Sequence, residues 1–179
     1  MPRYRRDLAG KRLMKLEVRE ATWADCHEVT TFLAAIASEN LDTITKRPSW
    51  TLDLAREWLK PKLDDEHSFV LVAIDGASIV GMLDVTGGAR EHDRHLATLG
   101  ITVAQSHRGR GVGRQLLDEA ISRARAWPRV CRLELQCAAW NEPAIRLYRS
   151  VGFEVEAVRR KGINLRGTPE DDLSMSLVW

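Results

Sequence analysis

Apolar residues recur along this chain with two periods, and each change of period marks an element. Leu16 and Val18 alternate with charged neighbours and predict a strand over 16–20. Thr22 is placed to cap a helix running to about Ser38, with Ala24 and Asp25 in its first turn. Residues 39–50 are polar, carry Pro48 and read as a loop. Thr51 or Ser49 caps a second helix, with Leu52, Ala55, Trp58 and Leu59 on one face, and Pro61 is expected to end it. Apolar runs over 68–74 and 79–85 flank Asp75-Gly76, a strong turn dipeptide, and predict a hairpin. A charged loop with Gly87-Gly88 follows, then a strand over 96–103, a helix over 112–126 and a strand over 131–137. A helix over 142–151 and strands near 153–160 and 171–178 complete the order. Hairpins first, then strand–helix–strand, then a terminal antiparallel pair make an α+β (mixed α/β) fold of about seven strands and four helices.

Length and composition agree with this. A chain of 179 residues is most simply one domain with a full core. With 44% hydrophobic and 29% charged residues, the chain falls in the ordinary globular class. No apolar run approaches a membrane span, and the N-terminus lacks the apolar segment of a signal peptide. Three cysteines, Cys26, Cys131 and Cys137, lack metal spacing and read as reduced thiols, the last two buried on one strand face. A cytoplasmic setting without membrane attachment follows as the expectation. The net charge of +2 is uneven. Residues 1–15 hold six basic groups, Arg3, Arg5, Arg6, Lys11, Arg12 and Lys15, against Asp7, while the remainder carries a net −3. We therefore divide the chain into a basic extension, 1–14, and one domain, 15–179; Met14 is an alternative start. The acidic body argues against nucleic acid as a partner.

The chemistry concentrates at Arg108-Gly109-Arg110-Gly111-Val112-Gly113, between the 96–103 strand and the 112–126 helix. Glycines let backbone approach an anion, and the amides and dipole of the first helical turn favour a phosphate there. Arg114-Gln115 stands where a Walker A loop needs Lys-Ser/Thr, and the dinucleotide spacing G-x-G-x-x-G is absent. The form present is Arg-x-x-Gly-x-Gly. Further along, Asn141 caps a helix that tolerates Pro143 in its first turn, and Gly152 closes it. This stretch reads Asn-x-x-Ala-x-x-Leu-Tyr-x-x-x-Gly-Phe. Near the end, Gly167, Asp171 and Met175 form G-x-x-x-D-x-x-x-M.

These ordered motifs resemble the two signatures and the tail of the GNAT superfamily of acetyl-CoA-dependent N-acetyltransferases, in particular the phosphinothricin and amino-acid branch. The resemblance runs from about Leu16 to Leu177. It implies the GNAT fold, a mixed twisted sheet splayed in the middle to admit acetyl-CoA, and a homodimer. It further implies transfer of acetyl to a primary amine of a small molecule, an amino acid or amino-acid-like antibiotic, by direct attack through a tetrahedral intermediate. The backbone from Arg108 through Gly109, Arg110, Gly111, Val112 and Gly113 would bind the pyrophosphate, with charge from Arg108, Arg110 or Arg114. Ile101, Thr102 and Val103 would pair with the pantetheine arm. Asn141 would contact the cofactor, and Tyr148 would protonate the leaving thiolate.

The base is the point of departure. Relatives place a glutamate two residues before the Gly100 position, where this chain has Thr98. Glu91, His92, Asp93, His95 and Asp84 are the nearby candidates; His95 is assigned on the pKa of imidazole, with a water relay as the other route. The acceptor pocket is expected from loops 39–50, 87–95 and 161–170, with Glu39 and Asp84 attracting an amine and Trp50 stacking on it. Among His27, His67, His92, His95 and His107 no helical pairing indicates a metal site, and no G-x-S-x-G nucleophile motif occurs. Two other readings stay open: a protein N-terminal or lysine acetyltransferase, and a silent acyl-CoA-binding module.

Overall fold

The structure is a computed structural model and describes residues 4–6, 12–14, 16–39, 49–165 and 167–179. Arg3, Lys11 and Lys15 among the basic residues of 1–15, and residues 40–48 of the predicted acceptor loop, lie outside the described residues. In the extension, β1 (Tyr4–Arg6) and β2 (Arg12–Met14) pair antiparallel in a small sheet of their own.

The body follows the predicted order. It runs β3 (Glu17–Glu20), α1 (Cys26–Ser38), α2 (Leu52–Leu63), β4 (Ser68–Asp75), β5 (Ser78–Gly87) and β6 (Leu96–Val103). There follow α3 (Val112–Arg125), β7 (Arg132–Ala138), α4 (Glu142–Ser150), β8 (Glu154–Leu165) and β9 (Thr168–Val178). One seven-stranded sheet takes the order β3-β4-β5-β6-β7-β9-β8. Only β6 and β7 are parallel neighbours, joined through α3; the other pairs are antiparallel.

Strand alternation assigns each face a partner. Leu83, Val85, Ala97, Leu99, Leu133, Leu135, Met175 and Leu177 point to one face and pack with Leu116, Leu117 and Ala120 of α3 and Ile145 and Tyr148 of α4. On the other face, Val70, Val72 and Met82 pack with Val29, Phe32, Leu33 and Ile36 of α1 and Leu59 of α2. That second core stops at β5. Beyond it, the same face of β6, β7 and β9 carries Thr98, Gly100, Glu134, Gln136, Ser174 and Ser176, a polar surface beside the α2 cover.

Three sequence expectations are corrected. Pro61 does not end the second helix, which continues to Leu63 with Asp64 N–H on the Lys60 carbonyl. Proline removes one N–H here in the last turn, where Glu57 and Pro61 are exposed and the orphaned carbonyl is not sealed in the core, so the helix tolerates it. Cys131 is exposed, because β7 begins one residue later, while Cys26 and Cys137 are buried. The terminal strands are also longer than expected, since β8 bulges between Arg159 and Ile163 and resumes pairing with β9.

Asp25 ties the start of α1 to the sheet. Its carboxylate accepts the Thr22 N–H at 2.7 Å and two guanidinium bonds from Arg19 at 2.6 and 2.9 Å. The hydrogen-bonded guanidinium holds Asp25 down to about 2 against burial, which opposes it. Because the folded-state value is depressed, the stabilisation is complete above about pH 4 and fades as pH falls through about 2. We predict that Asp25→Asn lowers stability by about 1–2 kcal/mol at pH 7, discounted for the exposure of Arg19. In thermal melts the gap from the parent protein should close on acidification toward pH 2; a gap independent of pH would refute this role.

Candidate active site

The site is built around a fork in the sheet. β6 and β7 pair through only three positions, Leu96↔Arg132, Ala97↔Leu133 and Thr98↔Glu134, and then part. On its other side β6 stays paired with β5 as far as Val103, and β7 with β9 as far as Ala138. The facing edges of 99–103 and 135–138 therefore have no ladder between them. Ile101 and Val103 pack on the α3–α4 core yet are only partly buried, as an opened sheet beside them requires.

At the open end of the fork the chain turns into α3 through the glycine-rich loop. Gly109 and Gly111 take φ of +69° and +87°, a region costly for other residues, and Gly111 leads directly into the helix. A Cβ at Gly109 would meet nothing within 4 Å, so the space over the loop is open. At Gly113 a Cβ would approach Leu147 Cδ2 to 2.9 Å, so α3 and α4 close tightly beneath the fork. An open cradle of amides at a helix start, next to an unladdered strand edge, fits a pyrophosphate followed by an amide-bearing arm.

The loop is held from outside by Glu39, just past the end of α1. Its Oε1 accepts the Gln105 N–H at 2.8 Å and its Oε2 accepts Arg108 Nη2 at 2.7 Å. Arg108 Nε also donates to the Val103 carbonyl at 2.9 Å. Glu39, expected to face an acceptor amine, thus sits against the glycine-rich loop, and Arg108 has its charge matched by protein. Arg114 is held by Asp118 at 2.9 Å and reaches the Ser150 carbonyl at 3.3 Å. Arg110 is exposed and has no side-chain partner among the described residues. Thr102 is buried at the fork edge between Ile101 and Val103.

Tyr148 lies in α4, buried, with its ring 6.1 Å from Phe153. Asn141 caps this helix by accepting the Ala144 N–H at 3.3 Å. Burial, and then the neighbouring Cys137, push the phenol above its ordinary range, so it holds its proton at neutral pH. Cys137, on the β7 edge of the fork, is itself pushed up to about 11 by burial and by the charge of Asp172. Asp172 is fully buried; its Oδ1 accepts from Arg159 Nε at 3.2 Å, and its Oδ2 has no partner among the described residues.

His95 is not brought to Tyr148. Its carbonyl accepts the Cys131 N–H at 2.9 Å, which puts it at the joined end of β6 and β7. Cys137 lies six residues further along, roughly 20 Å at ~3.3 Å per residue. The 87–95 loop is at that end too, over a cleft of about 350 Å³ shared with His67, Arg94 and Arg129.

The polar face joins Asp84, expected from the sequence, to Lys62 and Glu134, which were not. Asp84 lies opposite Gly100, two residues past the last β6–β7 pair, and Lys62 of α2 reaches it at 2.8 Å. Lys62 also donates to Thr86 Oγ1 at 2.8 Å and lies 5.0 Å from the Trp58 ring centre. Trp50 meets Trp58 edge-on at 6.3 Å. Glu134, paired with Thr98, is the other carboxylate at the fork and is engaged by Arg132. Expecting α2 to end at Pro61 hid Lys62, and Glu134 read only as one polar position of a strand.

Comparison with known proteins matches this geometry. The Acetyltransferase (GNAT) family covers residues 34–153 of the chain. The L-amino acid N-acetyltransferase AaaT of Escherichia coli is 37% identical over 91 residues, 51% of this chain and 56% of its own length. The N-alpha-acetyltransferase RimI of Mycobacterium tuberculosis is 32% identical over 108 residues, 59% of this chain and 65% of its own. The chain thus spans between half and two thirds of the length of these curated relatives. Among solved structures, yncA of Salmonella typhimurium, described with its cofactor acetyl-CoA, superposes with a TM-score of 0.80 at 23% identity, over 91% of this chain and 93% of that one. The matched span contains the forked strands, the glycine-rich loop and the Asn141–Phe153 signature: this chain belongs to the GNAT family of acetyltransferases.

Proposed function

We propose that the protein is an N-acetyltransferase that moves acetyl from acetyl-CoA to a primary amine on a small molecule, an amino acid or a compound resembling one. The observation that carries this reading is the fork, with an open phosphate cradle at its mouth and a protonated, buried Tyr148 behind it. The L-amino acid N-acetyltransferase among the relatives supports the acceptor class. RimI motivates a second reading, a protein N-terminal amine as acceptor.

The loop amides from Arg108 to Gly113 would take the donor's pyrophosphate, with Arg110 adding charge and Glu39 and Arg108 fixing the loop. The edge at Ile101, Thr102 and Val103 would pair with the donor's amides, and Asn141 would sit beside it. The acceptor nitrogen attacks the thioester carbon directly. Attack forms the nitrogen–carbon bond and a tetrahedral intermediate, and the collapse of that intermediate breaks the carbon–sulfur bond. Burial penalises a bare thiolate, so a neutral phenol aimed at the sulfur stabilises its departure. The acceptor ammonium first gives one proton to water and so gains its lone pair; sulfur later takes the phenolic proton, and the second proton, released from the nitrogen of the intermediate, restores Tyr148. Cys137 argues for this direct route: a thiol held protonated to about 11 is a poor nucleophile for an acyl-enzyme. The reading goes with a cytoplasmic setting, where acetyl-CoA is supplied and thiols stay reduced.

Release of the CoA thiol is the assay, with free amino acids, aminoglycosides, polyamines and short peptides as acceptors. Turnover on amino acids or their analogues is expected, and Tyr148→Phe should lower kcat by about a hundredfold, the usual scale for losing a positioned proton donor. Turnover restricted to peptides would favour the RimI-like reading; full activity in Tyr148→Phe would remove the phenol from the mechanism.

Loop preorganisation makes a separate prediction. Glu39→Ala removes bonds from Gln105 and Arg108 and should weaken acetyl-CoA binding by about tenfold, on the scale of one charge-assisted hydrogen bond. Calorimetric titration with acetyl-CoA measures it; unchanged affinity would show that the loop holds its shape without the clamp.

A further inference from the structure

We propose that Lys62 and Asp84 form the acceptor subsite and read both charges of an α-amino acid, Asp84 taking its ammonium and Lys62 its carboxylate. The inference rests on the transferase reading and names its acceptor chemistry.

Position comes first. The last β6–β7 pair is Thr98↔Glu134, and Asp84 pairs with Gly100 just beyond it. Leu83 and Val85 point into the α3–α4 core, so Asp84 between them projects from the opposite, polar face. A Cβ on Gly100 would stand 3.0 Å from Asp84 Oδ1. Because glycine leaves that place empty, the carboxylate lies over the strand toward the open edge. Thr98 is turned to the Thr86 carbonyl at 3.5 Å. The neighbouring strand thus supplies the carboxylate that β6 lacks.

Charge comes second. Asp84 Oδ2 accepts from Lys62, while Oδ1 takes no hydrogen bond from the described residues. An ammonium has three donors, and Lys62 has given one each to Asp84 and Thr86. Asp84 thus keeps one acceptor oxygen, and Lys62, 5.0 Å from the Trp58 ring centre, keeps one N–H without a hydrogen-bond acceptor among the described residues. Both side chains are mostly covered, at 13% and 21% exposed, so unbalanced charge is costly there. A simple amine cation would leave the neutral pair with one net positive charge. A zwitterion would leave none, and its two ends match the two unused valences. Glu134 does not compete, being held by Arg132, which also binds Glu156.

The test compares common α-amino acids with their carboxamides, which keep side chain and amine but lose the negative charge. The parent enzyme should prefer the free acids by about tenfold or more in kcat/KM, the worth of one charged hydrogen bond. Lys62→Met should erase the preference by slowing the free acids toward the amides, and Lys62→Arg should restore it. Asp84→Asn should raise KM for acids and amides together by about tenfold. Acetyl-CoA binding, measured calorimetrically, should hold in all three variants and reports their folding. Equal use of acids and amides by the parent enzyme overturns the subsite while leaving the transferase reading intact. So does a Lys62→Met that slows both alike with acetyl-CoA binding preserved. No turnover on any amine overturns the transferase reading and the subsite with it.

Discussion

Everything at this site depends on a ladder that stops. Three pairs hold β6 to β7, and then two strands, each still paired on its far side, run on with no ladder between their facing edges. Bare backbone edges are costly unless water or a partner serves them. The fold meets part of that cost itself, since Arg108 Nε takes the Val103 carbonyl. Beneath the gap, Ile101, Val103 and Leu147 meet the start of α3 around Gly113, and Tyr148 and Cys137 complete the floor. The helices that build the core thus also fill the space beneath the fork.

The two faces of the fork carry different chemistry for a simple reason. Side chains alternate along a strand, so the positions that bury leucines on one face put Asp84, Thr98, Gly100 and Glu134 on the other. The apolar face supports a proton-holding phenol, and the polar face gathers charge. Ion pairs around the fork then define which charges are spent. Glu39 occupies Arg108, Asp118 occupies Arg114, and Arg132 occupies Glu134 and Glu156. Arg110 at the loop is exposed and unpaired among the described residues, and Lys62–Asp84 retains one valence at each end.

The sequence read well where physics is local. Alternation in 96–103 and 131–137, the Asp75-Gly76 turn and the Asn141 cap each depend on neighbours a few residues apart, and each element formed as expected. So did the strand–loop–helix turn, whose left-handed positions fall on its own glycines. Contacts between distant segments were not legible. Glu39 meets Arg108 across 69 positions, and Lys62 meets Asp84 across 22, with no local pattern announcing either. His95 illustrates the same limit: an imidazole next to β6 in sequence lies at the joined end of β6 and β7, away from Tyr148. Cys131 looked interior by alternation, and one residue of strand boundary put it outside.

The most direct test of this account is amide exchange at the fork, followed by NMR with and without acetyl-CoA. If the unladdered β6 edge receives the donor, amides within 99–103 and in the 108–113 loop gain protection together on binding. Those of β4, already paired on both sides, should change little. Protection that appears on binding elsewhere while 99–103 exchange as before would contradict the fork as the donor site.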